Sequence, residues 1–159
     1  MASEIMRIHE ELTSGKISCA DLVKDRLGEL DKNTHNTANF LLTNMALKKA
    51  QEVDEKISKG EEIGVLEGIP FGVKDVFLVQ GCPASASSDF LKNYISPYTA
   101  TAIQKLMDAG AIPLVKENCD SFGHGSTSEN TVFGAVKNAI NDTLVAGGSS
   151  GGSAVNVAK

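Results

Sequence analysis

Apolar side chains recur every three or four residues in four stretches of the chain. This is the spacing of one face of an α-helix. The spacing predicts four helices: residues 3–14, a helix that starts after Ser18, residues 44–58 and residues 99–110. Their apolar positions are, in the same order, Ile5, Ile8 and Leu12; Leu22, Val23, Leu27 and Leu30; Leu47, Ala50, Val53 and Ile57; and Ile103, Leu106 and Met107. Ser18 and Asn44 are of types that cap helix N-termini. Gly15, Gly60 and Gly110 follow three of the helices and are expected to end them.

Three shorter apolar runs lack helical spacing and predict strands at residues 40–43, 68–77 and 111–115. Helices that alternate with strands through glycine turns are typical of an α/β fold with helices packed on a sheet. No internal repeat or linker divides the chain. We therefore expect one domain, or part of one.

Composition narrows the class of protein. The 159 residues are 42 % apolar and carry a formal net charge of −5, which disfavours a nucleic-acid-binding surface built by this chain alone. Neither a signal peptide nor an apolar run long enough for a membrane span is visible. The three cysteines are widely spaced and fit neither a disulfide framework nor a metal site. We predict reduced thiols and a cytoplasmic location.

A run of glycine and serine, residues 146–154, precedes an apolar tail with helical character. Paired glycines let the backbone approach a ligand closely, and Ser153 or a nearby serine could cap the following helix. The N–H groups at such a helix start favour an anion or oxyanion. On composition alone, a flexible Gly/Ser linker explains the run equally well.

Lys74 is the one lysine in the apolar run at residues 68–77. A lysine that is buried in such a strand tends to lose its proton or to find a partner, and a neutral lysine can act as a general base. The alternative is an ordinary lysine on the exposed side of an edge strand. Asp75 could orient the Lys74 ammonium or could be a surface carboxylate, and Gly72 weakens a simple strand and could mark close backbone approach.

Residues 118–130 form a long polar loop with hydroxyl side chains at Ser121, Ser126, Thr127 and Ser128. Such loops often line sites, although an ordinary surface loop has the same composition. His124 raises the possibility of a serine–histidine pair. Cys119 could be a reactive thiol or a plain buried one.

Three motifs in chain order, GIPFGVKD, GSTSENTVFGAVKN and GGSSGGSA, resemble the amidase signature family. The resemblance covers nearly the whole chain from about Ile8. Within the family, LTSGKISCADLVKDRLGELDK and GSTSEN are most similar to the ammonia-releasing subunits of aspartyl/glutamyl-tRNA amidotransferases. The implied fold is the N-terminal part of the amidase-signature α/β fold, a mixed β-sheet flanked by helices.

The resemblance implies a Ser-cisSer-Lys triad for amide hydrolysis. Lys74 would be the neutral base, and Ser149, after a cis peptide bond that follows Gly148, would relay the proton. Ser150 would hold the lysine, and Gly125, Ser126 and Thr127 would lie beside the substrate. The family uses no histidine, which argues against His124.

The nucleophilic serine of the family lies in a downstream motif of the form DTGGS, which this sequence does not contain. We therefore expect residues 1–159 to be the N-terminal portion of a single amidase domain, truncated before that motif and inactive alone. Ala146 stands where the family usually has proline. Asn156 and Lys159 replace small apolar residues, and a lysine there would be awkward if the helix is buried.

The function implied by the resemblance is glutamine hydrolysis, with ammonia passed to a partner that amidates Glu-tRNA(Gln) or Asp-tRNA(Asn). Expected partners are B and C subunits, with tRNA contacted mainly through them and with no membrane involved. No cofactor or metal is expected in this chain, and ATP and Mg²⁺ are expected at the partner subunit. The alternatives are a stand-alone small-molecule amidase and a non-catalytic remnant whose Gly/Ser loop holds an anion.

Overall fold

Five α-helices and a three-stranded sheet make up residues 3–159, the part of the chain that the computed structural model describes. The helices are α1 (Glu4–Thr13), α2 (Cys19–Asp31), α3 (Thr43–Ser58), α4 (Thr101–Asp108) and α5 (Gly151–Ala158), and the strands are β1 (Ala38–Leu41), β2 (Pro70–Lys74) and β3 (Ile112–Glu117). Single 3₁₀ turns lie at Asp89–Leu91 and Ser121–Gly123. The helices and strands predicted from apolar spacing are confirmed, with bounds that shift by a few residues.

β3 lies in the middle of the sheet, antiparallel to β1 and parallel to β2. This confirms the mixed sheet flanked by helices. All six residues of β3 are buried. The register places Lys74 beside Glu117. The end of β2 and the polar residues that follow β3 therefore lie at the same edge of the sheet.

Two apolar clusters pack around this sheet. The larger one joins α1, α2 and α3 to β3, and the smaller one contains Leu42, Val73 and Ile103. Predicted inner positions such as Leu12, Val23 and Ala50 are fully buried. Leu106 and Ile5 are exceptions. Leu106 is 37 % exposed, so its predicted inner position on α4 is wrong, and Ile5 is 39 % exposed although it was placed on the apolar face of α1.

The helix starts agree only in part with the predicted caps. The Ser18 hydroxyl accepts a 3.0 Å hydrogen bond from the Asp21 N–H, which confirms Ser18 as the cap of α2. Asn44 does not cap α3. That helix begins at Thr43, and the preceding Leu42 has no side chain that could cap it. The apolar face of α3 packs against β3, and such packing supplies most of the stability of a helix in a protein.

α5 begins at Gly151, before the predicted cap Ser153. The Ser153 hydroxyl donates to the buried Glu117 carboxylate at 2.5 Å, and Asn156 Nδ2 donates to the same group at 3.0 Å. Asn156 thus has a polar partner within the fold. Lys159 is exposed in the part of the chain that the structure describes.

A buried ion pair lies just behind the end of β2. Asp75 Oδ1 and Lys116 Nζ are 2.8 Å apart and both side chains are fully buried. Asp75 also accepts hydrogen bonds from Ser85 and Asn39. Both interpretations of Asp75 are therefore wrong: it neither orients Lys74 nor lies at the surface. Successive side chains of a strand point to opposite faces, and Asp75 points away from Lys74 into the interior.

All three cysteines are free and buried. Burial raises the pKa of Cys19 to about 12, and it also raises the pKa of Cys119 above its ordinary value. The Cys119 side chain is inaccessible, which favours a plain buried thiol. Within residues 3–159, no helix combines the length and apolar character that crossing a membrane requires.

Candidate active site

The amine of Lys74 lies between two serine hydroxyls from the glycine-rich turn. Lys74 Nζ is 2.7 Å from Ser149 Oγ and 2.7 Å from Ser150 Oγ. The end of β2 supplies the lysine, and the turn before α5 supplies both serines. The structure thus brings Lys74 together with two consecutive serines that lie 75 and 76 residues further along the sequence.

The turn that carries the serines is an ordered element. The Gly148–Ser149 peptide bond is cis, as the resemblance implied. Gly147 has a φ of +84°, a conformation that side chains disfavour. Gly151 and Gly152 are buried, and the Gly152 N–H donates to the Asn118 carbonyl at 3.0 Å. These contacts favour a fixed turn over the linker interpretation.

The polar loop after β3 holds this turn in three places. The Asp120 N–H donates to the Ser149 carbonyl at 3.1 Å. The Ser128 hydroxyl donates to the Gly147 carbonyl at 2.8 Å and accepts from the Gly151 N–H at 2.9 Å. Asp120 was not among the predicted site residues, and Ser128 was only one of several loop hydroxyls. Nothing in the sequence distinguishes them, because their roles depend on contacts between distant segments.

The three residues predicted to contact substrate lie against the same turn. Gly125 and Ser126 are exposed and Thr127 is half-buried. A Cβ added to Gly148 would lie 2.7 Å from Thr127 N and 2.8 Å from Ser126 C, and it would overlap the Asp120 carboxylate. The loop therefore packs directly on the Gly148 backbone. Its contact with substrate stays a prediction.

The 3₁₀ turn Ser121–Gly123, which lies in the polar loop at residues 118–130, is a further neighbour of the site. A Cβ built on Gly123 would lie 3.9 Å from Ser149 Oγ and 4.0 Å from Lys74 Nζ. Phe122 in the same turn has a φ of +57° and is 55 % exposed. In contrast, no hydrogen bond within residues 3–159 joins the His124 ring to Lys74 or to either serine.

Comparison with known proteins shows to which family the chain belongs. Residues 21–159 match the family model described as Amidase. The chain belongs to the amidase family. The A subunit of the glutamyl-tRNA(Gln) amidotransferase of Trichodesmium erythraeum is 42 % identical over 99 % of this chain and 33 % of its own length. The corresponding chloroplastic/mitochondrial A subunit of Arabidopsis thaliana is 40 % identical over 98 % of this chain and 29 % of its own length.

Structural comparison gives the same family. The native peptide amidase of Stenotrophomonas maltophilia superposes with a TM-score of 0.86 and 30 % identity, over 98 % of this chain and 34 % of the amidase. The fold is therefore that of the amidase-signature enzymes. This chain spans about a third of the length of these relatives.

We expect replacement of Gly148 by alanine to disrupt the site. The added methyl would overlap the Asp120 carboxylate and crowd the backbone of Ser126 and Thr127, so the loop and the turn must separate. Overpacking of this kind costs about 1–3 kcal/mol of unfolding free energy. Chemical denaturation of the native protein and the variant measures that loss.

The matched control for this variant is Gly28→Ala in α2. A Cβ at Gly28 meets nothing within 4 Å, and alanine is the better helix former. We expect Gly28→Ala to leave the free energy of unfolding unchanged or to raise it by up to about 1 kcal/mol. Equal stabilities for the two variants would contradict the close packing at Gly148.

Proposed function

We propose that this chain supplies the base and the proton-relay serine of an amide-hydrolysing site. The observation that carries the proposal is the contact of Lys74 Nζ with both Ser149 Oγ and Ser150 Oγ at 2.7 Å. In an activated nucleophile, a base contacts the hydroxyl whose proton it takes, and a third group holds that base in place. Lys74 is the base in this proposal, Ser149 is the hydroxyl and Ser150 is the third group.

The chemistry follows from the positions of these three groups. Unprotonated Lys74 accepts the Ser149 proton while Ser149 accepts the proton of an attacking serine. The hydroxyl of Ser150 holds the amine in place. The attacking oxygen bonds to the amide carbonyl carbon, the C–N bond then breaks, and the proton that reached Lys74 returns through Ser149 to the departing nitrogen. Water then attacks the resulting ester while the same base takes its proton, and the bond between the serine oxygen and the acyl carbon breaks, which releases the acid and restores the serine hydroxyl. The family's DTGGS motif would supply the attacking serine, and no such motif occurs in residues 1–159.

For the whole protein, we infer glutamine hydrolysis coupled to tRNA-dependent amidation. The support is the identity of 42 % with the A subunit of a glutamyl-tRNA(Gln) amidotransferase over 99 % of this chain. In this proposal ammonia from glutamine passes to B and C subunits, which bind ATP, Mg²⁺ and the mischarged tRNA. The net charge of −5 fits a chain that leaves tRNA binding to a partner.

The competing function is hydrolysis of a small amide without partners. Its support is the structural likeness to the peptide amidase of Stenotrophomonas maltophilia at a TM-score of 0.86. The proposed chemistry at Lys74 and Ser149 is the same in both cases. The two functions differ in the amide that is cleaved and in the fate of the ammonia.

One experiment separates these proposals. The protein is purified from its source under mild conditions, and release of ammonia is measured from glutamine and from a panel of aryl and peptide amides. Amidation of Glu-tRNA(Gln) and Asp-tRNA(Asn) is then measured with ATP. We expect glutamine hydrolysis, copurifying subunits and tRNA amidation. Hydrolysis of small amides but not of glutamine would favour the stand-alone amidase, and absence of all turnover would favour a non-catalytic protein.

A further inference from the structure

Asp120 is a buried carboxylate whose hydrogen-bond donors, among residues 3–159, are all backbone N–H groups. It is 1 % exposed, and its oxygens accept from the Ser128 N–H at 3.0 Å and from the Asn130 N–H at 3.2 Å. None of the ion pairs in residues 3–159 includes it. Burying a carboxylate costs free energy unless hydrogen bonds compensate for its lost hydration. The Asp120 carboxylate therefore depends on these backbone N–H groups.

The same residue contacts both parts of the candidate site. Its main-chain N–H donates to the carbonyl of Ser149. Its carboxylate occupies the space that side chains on Gly148 and Gly125 would need. Asp120 therefore lies directly between the turn with the relay serine and the loop predicted to contact substrate.

Ser128 extends this contact to both sides of the Gly148–Ser149 peptide. The Asp120 carboxylate fixes the backbone N–H of Ser128, which has a φ of +59°. The Ser128 hydroxyl in turn binds the Gly147 carbonyl and the Gly151 N–H. The position of the turn relative to Lys74 thus depends on one carboxylate and one hydroxyl behind it.

We propose that Asp120 is a positioning residue that fixes Ser149 within reach of Lys74 and, at the same time, fixes residues 125–127 beside it. The inference rests on the proposed function for the roles of Lys74 and Ser149. A carboxylate suits the task because each of its two oxygens accepts one N–H. Asparagine has a single acceptor oxygen, and its NH₂ group would face a backbone N–H.

The test compares the native protein with its Asp120→Asn variant and with Asp142→Asn, an exposed control. We expect Asp120→Asn to lower kcat about 100-fold, because a misplacement near 1 Å costs that much. We expect KM to rise, because the loop shifts with the turn. Asp142→Asn should keep both parameters. All assays run well below the Tm of each variant, so that every protein is fully folded.

A second readout does not depend on turnover. Trace acetylation with limiting acetic anhydride, followed by mass spectrometry, gives the labelling rate of Lys74 relative to the exposed Lys92 in the same molecule. We expect Asp120→Asn to change this ratio several-fold, because the two serine hydroxyls no longer hold the amine. Asp142→Asn should leave the ratio unchanged.

The results distinguish positioning from stability alone. An unchanged labelling ratio, with or without a lower kcat, would overturn the proposal, as would an unchanged KM together with a wild-type kcat. If the wild-type protein hydrolyses no amide, the proposed function fails and the labelling ratio still decides the role of Asp120. If Asp120→Asn does not fold, Ser128→Ala replaces it, and an unchanged ratio in that variant would equally overturn the proposal.

Discussion

Replacing Lys74 by alanine is expected to remove amide hydrolysis in the native protein while leaving its fold intact. The loss should be about 10²- to 10⁴-fold in kcat, the range that a positioned general base contributes. Lys74 is the only basic group of residues 3–159 that hydrogen-bonds Ser149 or Ser150. No neighbouring base is therefore available to take over its function.

The fold should survive this change because Lys74 contributes little to packing. It lies at the end of β2, is partly exposed, and forms no ion pair with any residue in the described chain. We expect the unfolding free energy to change by less than about 1 kcal/mol, as for most surface substitutions. Circular dichroism and chemical denaturation of the variant measure this.

The control for the lysine substitution is Lys92→Ala, which removes an exposed ammonium that hydrogen-bonds neither serine. It should keep the wild-type rate. The steady-state rate of ammonia release from the preferred amide is measured for the wild-type protein, Lys74→Ala and Lys92→Ala. Wild-type turnover by Lys74→Ala would refute the proposed base, whereas equal losses in both variants would indicate a general effect of lost charge.

Replacing Asp75 by alanine is expected to lower the unfolding free energy by about 3–5 kcal/mol, the cost of leaving one member of a buried ion pair without its partner. Lys116 is fully buried, and its remaining acceptor would be the carbonyl of Pro83 at 3.1 Å. The substitution also removes the acceptor of Ser85 and Asn39. Several buried donors would then be unsatisfied at once.

A double-mutant cycle with Lys116→Met identifies the cause of this loss. If the unpaired charge dominates, the double variant Asp75→Ala/Lys116→Met should be more stable than the sum of the single effects predicts. Denaturant titrations of the native protein and the three variants measure the coupling. The exposed pair of Lys49 and Glu52 is the control, for which we expect less than about 1 kcal/mol. Strict additivity at Asp75 and Lys116 would contradict the assigned pairing.

Much of the fold was predictable because apolar periodicity follows burial directly. Positions such as Leu12, Val23 and Ala50 recur at helical spacing and are fully buried. The prediction that Asn44 caps α3 was wrong, because residue type alone does not determine where a helix begins and tertiary context can override it. Leu106 failed for a related reason, since the periodicity of α4 indicates an apolar face but not how far its neighbours cover it.

The site could be predicted only where its chemistry is carried by unusual residues in a motif. Lys74 in an apolar strand and the serines between paired glycines are such cases, and the structure places the lysine amine 2.7 Å from both hydroxyls. Asp120 is different, because an aspartate in a polar loop is unremarkable until Ser149 and Ser128 are placed beside it. Lys116 lies beyond the predicted end of its strand, so nothing pointed to it as the partner of Asp75.

The adjacency of Lys74 and Asp75 has a consequence for how the chain reaches this fold. The two side chains point to opposite faces, one to the serine hydroxyls and the other to the buried ammonium of Lys116. A slip of β2 by one residue along β3 exchanges the two faces. Lys74 would then be buried against Lys116, and a carboxylate would face the hydroxyls. Electrostatic repulsion between two buried ammonium groups would therefore disfavour this misaligned pairing of β2 and β3 during folding.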